Sequence, residues 1–441
     1  MARKQLSEEE KQQIRDSLKA TRERRKTQTI KVIELKVNCH HTSKDVFKKM
    51  NECFKQAKWV ENDMLNWSEK TENNIFKYEY LDHKTIFRLD KDKNTIQENI
   101  TLPVLFHRAI IKQIKTDISN LAKARKKGIE IGALKYKSEV NSIPILTGGV
   151  RIIDKTHITI PGFSKLKVYG LEQLDKFKEF EIADGKFIKK ASGYYIHISV
   201  CSPKENTSNK VYKEVGLDFG IKDNVITSDG EKFNCNVPEN EQLKYLQKQM
   251  KKKIVGSKRY WKLRNQIRKE YEHLSNKKVD ESNKLIAYLK KNYDTIYFQD
   301  EQISQWRKKK KSKKTGNKCG FSFGRQIQSS YLGRVKAKLV QMENEKSFKV
   351  SKWSPTTKFC PKCGSLNKIG LEERVFVCEC GYKFDRDIHA AKNVKLFGST
   401  KRAECLEQAS VETTTSILLD LAIDLEEQVV SMKRKSEADT L

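Results

Sequence analysis

A multidomain α+β protein is what this sequence predicts, and three observations predict it. Residues 43 to 128 carry apolar side chains at helical spacing, and residues 145 to 201 break into short β-rich runs. Residues 211 to 400 alternate strand-like and helical stretches around a knuckle of four cysteines. The chain has 441 residues, so one compact domain is too few and about two to four are expected.

Residues 1 to 30 read as a polar, basic helix, after which TIKVIELKVN alternates like a strand, so the core begins near Ile30. From Ser43, Val46, Met50, Phe54, Ala57, Val60, Met64 and Trp67 recur at helical spacing. A second helix opens at Thr101-Leu102-Pro103, carries Val104, His107, Ile111, Ile114, Ile118 and Leu121, and stops near Gly128. Residues 43 to 128 are thus expected to be mainly helical. VRIIDKTHITIPG, KLKVYG, FEIADGKFIKK and GYYIHISVC follow as strands, with turns expected at Pro161-Gly162, Asp184-Gly185 and Ser192-Gly193. This pattern predicts a small β-barrel with the preceding helices inserted into it.

A third regime starts at Val211. VGLDFGIKDNVITSDG (215 to 230) reads as two strands and a tight turn, and residues 240 to 292 as a helical hairpin broken at Val255-Gly256-Ser257. TIYFQDE (295 to 301) is a short apolar strand ending in acids, residues 307 to 318 are a basic loop, and residues 325 to 342 return to helix. The tail opposes the charge of the rest, with nine acids and four basic residues in 402 to 441. Its LLDLAIDLEEQVV has the pattern of a short amphipathic helix.

Lys plus Arg number 89 against 57 Asp plus Glu, a formal charge of +32 spread along the chain, and the partner expected is a polyanion. The absence of a long apolar run and of an apolar core in MARKQLSEEE argues against a membrane and favours nucleic acid in a cytoplasmic compartment. Of ten cysteines, four fall at Cys360, Cys363, Cys378 and Cys380. CxxCG and CxCG frames fourteen residues apart are the spacing of two knuckles closing one tetrahedral, structural Zn²⁺ site. His40, His41 and His157 have no ligand spacing to them.

Three acids stand out: Asp218 inside VGLDFG, Glu301 at the end of IYFQDE with Asp300 beside it, and Asp387 in DRDIHAAKNV at the start of an alanine-bearing helix. Singly, each reads as a turn or capping acid. Together, carboxylates from a strand middle, a strand end and a helix start suit two Mg²⁺ ions acting on a phosphodiester.

GLDFGIKDN with a following SDG, IYFQDE, and CPKCG…RVFVCECGYKFDRDIHAAKNV, in this order, closely resemble the three RuvC motifs and zinc ribbon of the TnpB proteins and of the miniature type V CRISPR nucleases. The motif-bearing resemblance covers roughly residues 211 to 395. It implies an RNase H-like (RuvC) α/β nuclease with an inserted zinc ribbon, preceded by a wedge-type β-barrel with an inserted helical recognition region. Its expected divisions are 1–42 (basic helix and first barrel strand), 43–140 (recognition helices), 141–210 (rest of the barrel), 211–354 and 384–400 (nuclease), 355–383 (ribbon) and 401–441 (acidic tail). The resemblance implies an RNA-guided DNA endonuclease that uses two Mg²⁺ and one Zn²⁺, recognises a short motif beside its target, and takes guide RNA and double-stranded DNA as partners. One copy or a homodimer on one RNA are both compatible with the sequence, as are a transposon-encoded protein and a CRISPR effector.

Residue by residue, Asp218 matches the first catalytic aspartate and Asp387 the third, with His389 where the family has Asn. The family's middle Glu position holds Gln299. Glu301 lies on the same face two places on if the strand continues, with Asp300 as the alternative. Residues 244 to 269 hold eleven Lys or Arg and no acid, interleaved with aromatics. Lys251, Lys252, Arg259, Tyr260, Trp261 and Arg264 there, with Arg307 and Lys308 in the later loop, are candidates to bind nucleic acid or, alternatively, a solvated face with aromatics in the core. A guided DNA-binding protein with a disabled site and a transposase acting on its own element are the rival readings.

Overall fold

The computed structural model describes residues 7–70, 74–80, 83–89, 95–132, 134–204, 213–307, 310–311, 318–319, 323–343, 346–370 and 372–409. The chain divides into two units: residues 1–208 with 245–272, and residues 209–244 with 273–441.

The first unit starts with helix α1 (Glu8–Lys26), closed by a Ser7/Glu10 capping box. Strand β1 (Gln28–Val37) buries Ile33, Leu35 and Val37 on alternate positions. Helix α2 (Lys44–Lys70), a hairpin of β2 (Thr85–Leu89) and β3 (Thr95–Asn99), and helix α3 (Val104–Lys126) follow. Residues 43–128 are mainly helical, as expected, with the β2–β3 hairpin as an unforeseen interruption. Strands β4 (Ser142–Ile145), β5 (Arg151–Ile152), β6 (His157–Ile160), β7 (Phe163–Tyr169), β8 (Glu181–Lys190) and β9 (Gly193–Pro203) complete the unit.

These strands form one seven-stranded antiparallel sheet in the order β4-β8-β9-β1-β7-β6-β5. The helices and hairpin between β1 and β4 pack onto it: Met50, Phe54, Ala57 and Val60 of α2 and Phe106 and Ile110 of α3 join Leu35, Phe187, Ile196 and Ile198 in one core. Asp184-Gly185 is not a turn. It lies inside β8 at a register shift between Ile182 and Gly185, a bulge that bends the strand without ending it.

In the second unit β10 (Glu214–Phe219) is the middle strand. It runs antiparallel to β11 (Val225–Thr227), which pairs with β12 (Lys232–Phe233), and parallel to β13 (Thr295–Gln299). Helix α4 (Glu241–Lys251) and the long α5 (Lys258–Asn292) lie between β12 and β13 in the chain, and the division between units falls within each of them. Small strands β14 (Lys310–Lys311) and β15 (Lys318–Cys319), helices α6 (Gly324–Ser329) and α7 (Leu332–Gln341), and strand β16 (Ser347–Val350) come next. The sheet order is β12-β11-β10-β13-β16, with β16 parallel to β13. A hairpin of β17 (Val375–Val377) and β18 (Lys383–Asp385) leads into helix α8 (Arg386–Ala409).

Helix α8 lies directly on β10. A Cβ on Gly216 would meet the carbonyl oxygen of Ala391 at 2.1 Å, so only glycine admits the helix this close. Ala390 and Ala391, both buried, do the same from the helix side. All five residues of β13 are buried, as expected of a strand covered on both faces. No helix among the described residues is long and apolar enough to cross a membrane.

Candidate active site and metal centre

The pairing of β10 with β13 sets the level of the acids. Leu217 is opposite Phe298, so Asp218 follows at the level of Gln299, two residues before Glu301 in the chain. Gly216 touches α8 at Ala391, and Asp387 lies one helical turn before that contact. Asp218 is half-buried between Leu217 and Phe219, which are buried. Loss of water pushes its carboxyl up to about 7, and the negative charges of Asp387 and Glu301 push the same way. Asp387 and Glu301, the other two carboxylates chosen from the sequence, are therefore both within electrostatic reach of Asp218.

Each acid is placed by a local device. Asn224 pins the β10–β11 turn: its amide donates to the carbonyls of Gly220 and Ile221, and its oxygen accepts from the Cys235 amide at 2.7 Å. Asp385 caps α8, its Oδ1 accepting from the amides of Asp387 at 3.0 Å and Ile388 at 3.1 Å, and so puts Asp387 in the first turn. Lys336 of α7 holds the segment after β13, donating to Asp300 Oδ1 at 2.7 Å and to the Glu301 carbonyl at 2.6 Å.

Strand β13 ends at Gln299, so the alternation expected to carry Glu301 onto its face does not extend that far. The two neighbouring acids differ in another way. Asp300 is taken by Lys336, which holds its carboxyl below the usual range. Burial pushes the Glu301 carboxyl up, and Glu301 is the acid that acts on Asp218.

Gln299 and His389, the two departures from the family pattern, belong to one buried polar network that sequence reasoning missed. The Gln299 amide donates to the carbonyls of Ser351 (3.3 Å), Lys352 (3.4 Å) and Ser354 (3.2 Å), and its oxygen accepts from Thr356 Oγ1 at 3.1 Å. From α8, Asn393 donates to the carbonyls of Thr356 (2.7 Å) and Phe359 (2.8 Å) and lies 3.1 Å from His389 Nε2. His389 is fully buried and stacks on Phe376, ring centroids 3.9 Å apart; burial lowers its pKa to about 4, so the ring is neutral at pH 7. The network ties the end of β13, the segment leading to the cysteines, and α8 together. The available signal was the placing of His389 and Asn393 four residues apart on α8 beside Ala390, Ala391 and Val394, which put both on its buried face.

The four cysteines converge, their sulfurs all within 4.8 Å of one another. Cys360 and Cys380 Sγ are 3.6 Å apart and Cys363 and Cys378 Sγ 3.5 Å, close to the ~3.8 Å edge of a tetrahedron with Zn–S bonds of about 2.3 Å. Gly364 and Gly381, at φ 74° and 83°, make the left-handed turns that follow each knuckle. The shorter CxC frame does not prevent closure. The Ser365 hydroxyl beside Cys378 holds that thiol down at about 5, favouring the thiolate a metal needs. The donor set fits Zn²⁺. Among the described residues such a tight grouping is confined to the cysteines, and the three carboxylates are gathered more loosely.

The basic candidates lie elsewhere. Lys251, Lys252, Arg259 and Arg264 are exposed on the α4–α5 hairpin in the first unit. Trp261 is 50 % exposed, with Tyr260 edge-on at 5.6 Å and the Arg264 guanidinium over its ring at 4.8 Å. Its ring is therefore not in the core. Arg307 is exposed in the second unit, while Lys308 and the amphipathic stretch of the tail lie outside the described residues.

The fold is multidomain α+β, with Asp218 on the central strand of the second unit and a four-cysteine centre in the same unit. Residues 334–394 match the family model described as Cas12f1-like, TNB domain. A curated relative from Streptomyces pristinaespiralis, named "Putative RNA-guided DNA endonuclease", is 26% identical over 190 residues, which are 42% of this chain and 45% of that protein. The chain thus spans less than half the length of that relative. A structure titled "Cryo-EM structure of the Cas12f1-sgRNA-target DNA complex" matches with a TM-score of 0.45 and 14% identity, over 80% of this chain and 83% of that one. The chain is similar to the TnpB and miniature type V nucleases, the family its motifs resemble.

Proposed function

We propose that the protein is an RNA-guided DNA endonuclease whose single active site is formed by Asp218, Glu301 and Asp387. The observation that supports this reading is the charge around Asp218: on the middle strand β10, its proton affinity is raised by burial and by both Asp387, at the start of α8, and Glu301, after β13. Like charges are held together at a cost, and oxygen donors of this kind suit hard divalent cations. Two Mg²⁺ ions bound there would activate water and stabilise the leaving oxygen of a phosphodiester. Asp218 is the central ligand, fixed by the sheet. Asp387 is aimed by the Asp385 cap and Glu301 by Lys336, and Asp300 is a positioning acid because Lys336 occupies it.

The strand order, with the second strand antiparallel and the outer pair parallel to the first, supports the RNase H-like reading of this unit. In the same reading the seven-stranded sheet is the wedge-type barrel and the α2–α3 insertion is the recognition region. The cysteine-bearing segment 355–383 is a zinc ribbon, and guide pairing reads the DNA while the protein inspects a short adjacent motif. The exposed cations and Trp261 of the α4–α5 hairpin contact the nucleic acid backbone and bases.

The test is cleavage of a target plasmid with co-purified guide RNA and Mg²⁺. Wild type cuts, whereas Asp218→Ala and Asp387→Ala retain guide binding and do not cut. Binding of the target without cleavage by wild type would reject the enzyme; cleavage of element ends without RNA would point to a transposase.

A further inference from the structure

A cleft of the first unit lies within the segment read as the recognition region, but its ligand is not given by that reading. It measures about 610 Å³ and lies between residues 76–80, which begin in a 3-10 turn, and one face of α3. That size suits a small organic ligand, since sites of this kind span about 300–1,000 Å³. Its two walls are built differently.

The wall at residues 76–80 is pinned by Tyr78, which is fully buried. The Tyr78 hydroxyl donates to Asp63 at 2.7 Å, its ring stacks on His83 at 3.6 Å, and its carbonyl accepts from Lys115 at 2.7 Å. With Tyr78 turned inward, Phe76 is left 46 % exposed at the cleft, and Tyr80 lines it from the other side of the pin. The helical wall presents Arg108, Lys112 and Lys115 at successive turns, with the Arg108 guanidinium 5.7 Å from the centre of the Tyr80 ring. Lys115 is engaged by the Tyr78 carbonyl, whereas Arg108 and Lys112 are exposed. Glu79 also lines the cleft, on the wall opposite the helix that carries the cations. Aromatic surface facing the two exposed cations of that helix selects a flat, anionic ligand, because stacking and phosphate pairing are then both available at once.

We propose that this cleft binds a single unstacked nucleotide, with its base against Phe76 and Tyr80 and its phosphate at Arg108 and Lys112. The inference does not rest on cleavage at the acidic site. Nucleotide binding fails or survives independently of Asp218→Ala, so the two readings are separately testable.

The experiment titrates the full chain with adenosine 5′-monophosphate, adenosine and ribose 5-phosphate, followed by saturation-transfer NMR. The monophosphate is expected to bind saturably, with loss of either the base or the phosphate weakening binding about tenfold. Phe76→Ala and the pair Arg108→Gln/Lys112→Gln are expected to weaken it about as much; these side chains are exposed, so the unfolding midpoint stays unchanged. A 5′-phosphorylated oligonucleotide that displaces the monophosphate identifies a strand as the source of the nucleotide, and failure to displace identifies the free nucleotide. The absence of saturable binding at millimolar monophosphate overturns the proposal. So does equal binding of ribose 5-phosphate with no effect of Phe76→Ala, which would leave only charge attraction.

Discussion

Replacing Asp218 by Asn is expected to stabilise the metal-free protein at alkaline pH. An unfolded aspartate titrates near 3.9, whereas burial and the charges of Asp387 and Glu301 push Asp218 to about 7 in the folded chain. Below about pH 4 both states hold the proton and the variant and wild type are equally stable in this respect. Between about pH 4 and 7 only the folded state holds it, so each unit of pH costs wild type about 1.4 kcal/mol, and above 7 the difference levels off. Three units give about 4 kcal/mol, and partial solvent access reduces this to about 2–4 kcal/mol. Asn keeps the volume and removes the charge. Urea unfolding in EDTA across pH 4 to 8, with hydrogen exchange at β10 to locate the effect, measures the difference. Added Mg²⁺ should narrow it by stabilising wild type alone. Equal stability at pH 8, or a wild-type advantage that grows with pH, would refute the clustering of charge at Asp218.

Gln299→Glu restores the residue type that the family pattern suggests, yet it is expected to lower stability by about 3 kcal/mol and to leave cutting no faster. It sets a buried carboxylate against the three carbonyls that the Gln299 amide now serves, which denaturation and cleavage assays together check. Gly216→Ala forces β10 and α8 apart, costing about 1–3 kcal/mol and lowering cleavage through Asp387 without loss of guide binding. Cys360→Ser should drop bound zinc from roughly one per chain, measured by elemental analysis, and loosen the β17–β18 hairpin in hydrogen exchange.

The local frames were legible. CxxCG and CxCG name a metal site by spacing alone, and GLDFG, IYFQDE and the DRD helix start mark where acids occur, because short motifs encode local geometry. The apolar stripes of α2 and α3 were legible too, since helical periodicity is a local property. Asp184-Gly185 misled because the dipeptide that favours a turn also favours a bulge, and pairing with β9 decided between them.

By itself, then, the sequence determined which residues are candidates for chemistry: the four thiolates, Asp218, the acidic pair at 300 and 301, and Asp387. Only the tertiary structure separated that pair, with Lys336 reaching across from α7 to occupy Asp300 while the charge of Glu301 acts on Asp218. It also decided what Gln299 and His389 are for. Their partners lie on segments more than fifty residues away or on a neighbouring hairpin, at Ser351 to Thr356 and at Phe376. The period of a strand or helix reports which face a residue takes. It carries no information about which distant groups meet that face, and those contacts convert two apparent losses from a motif into a buried network.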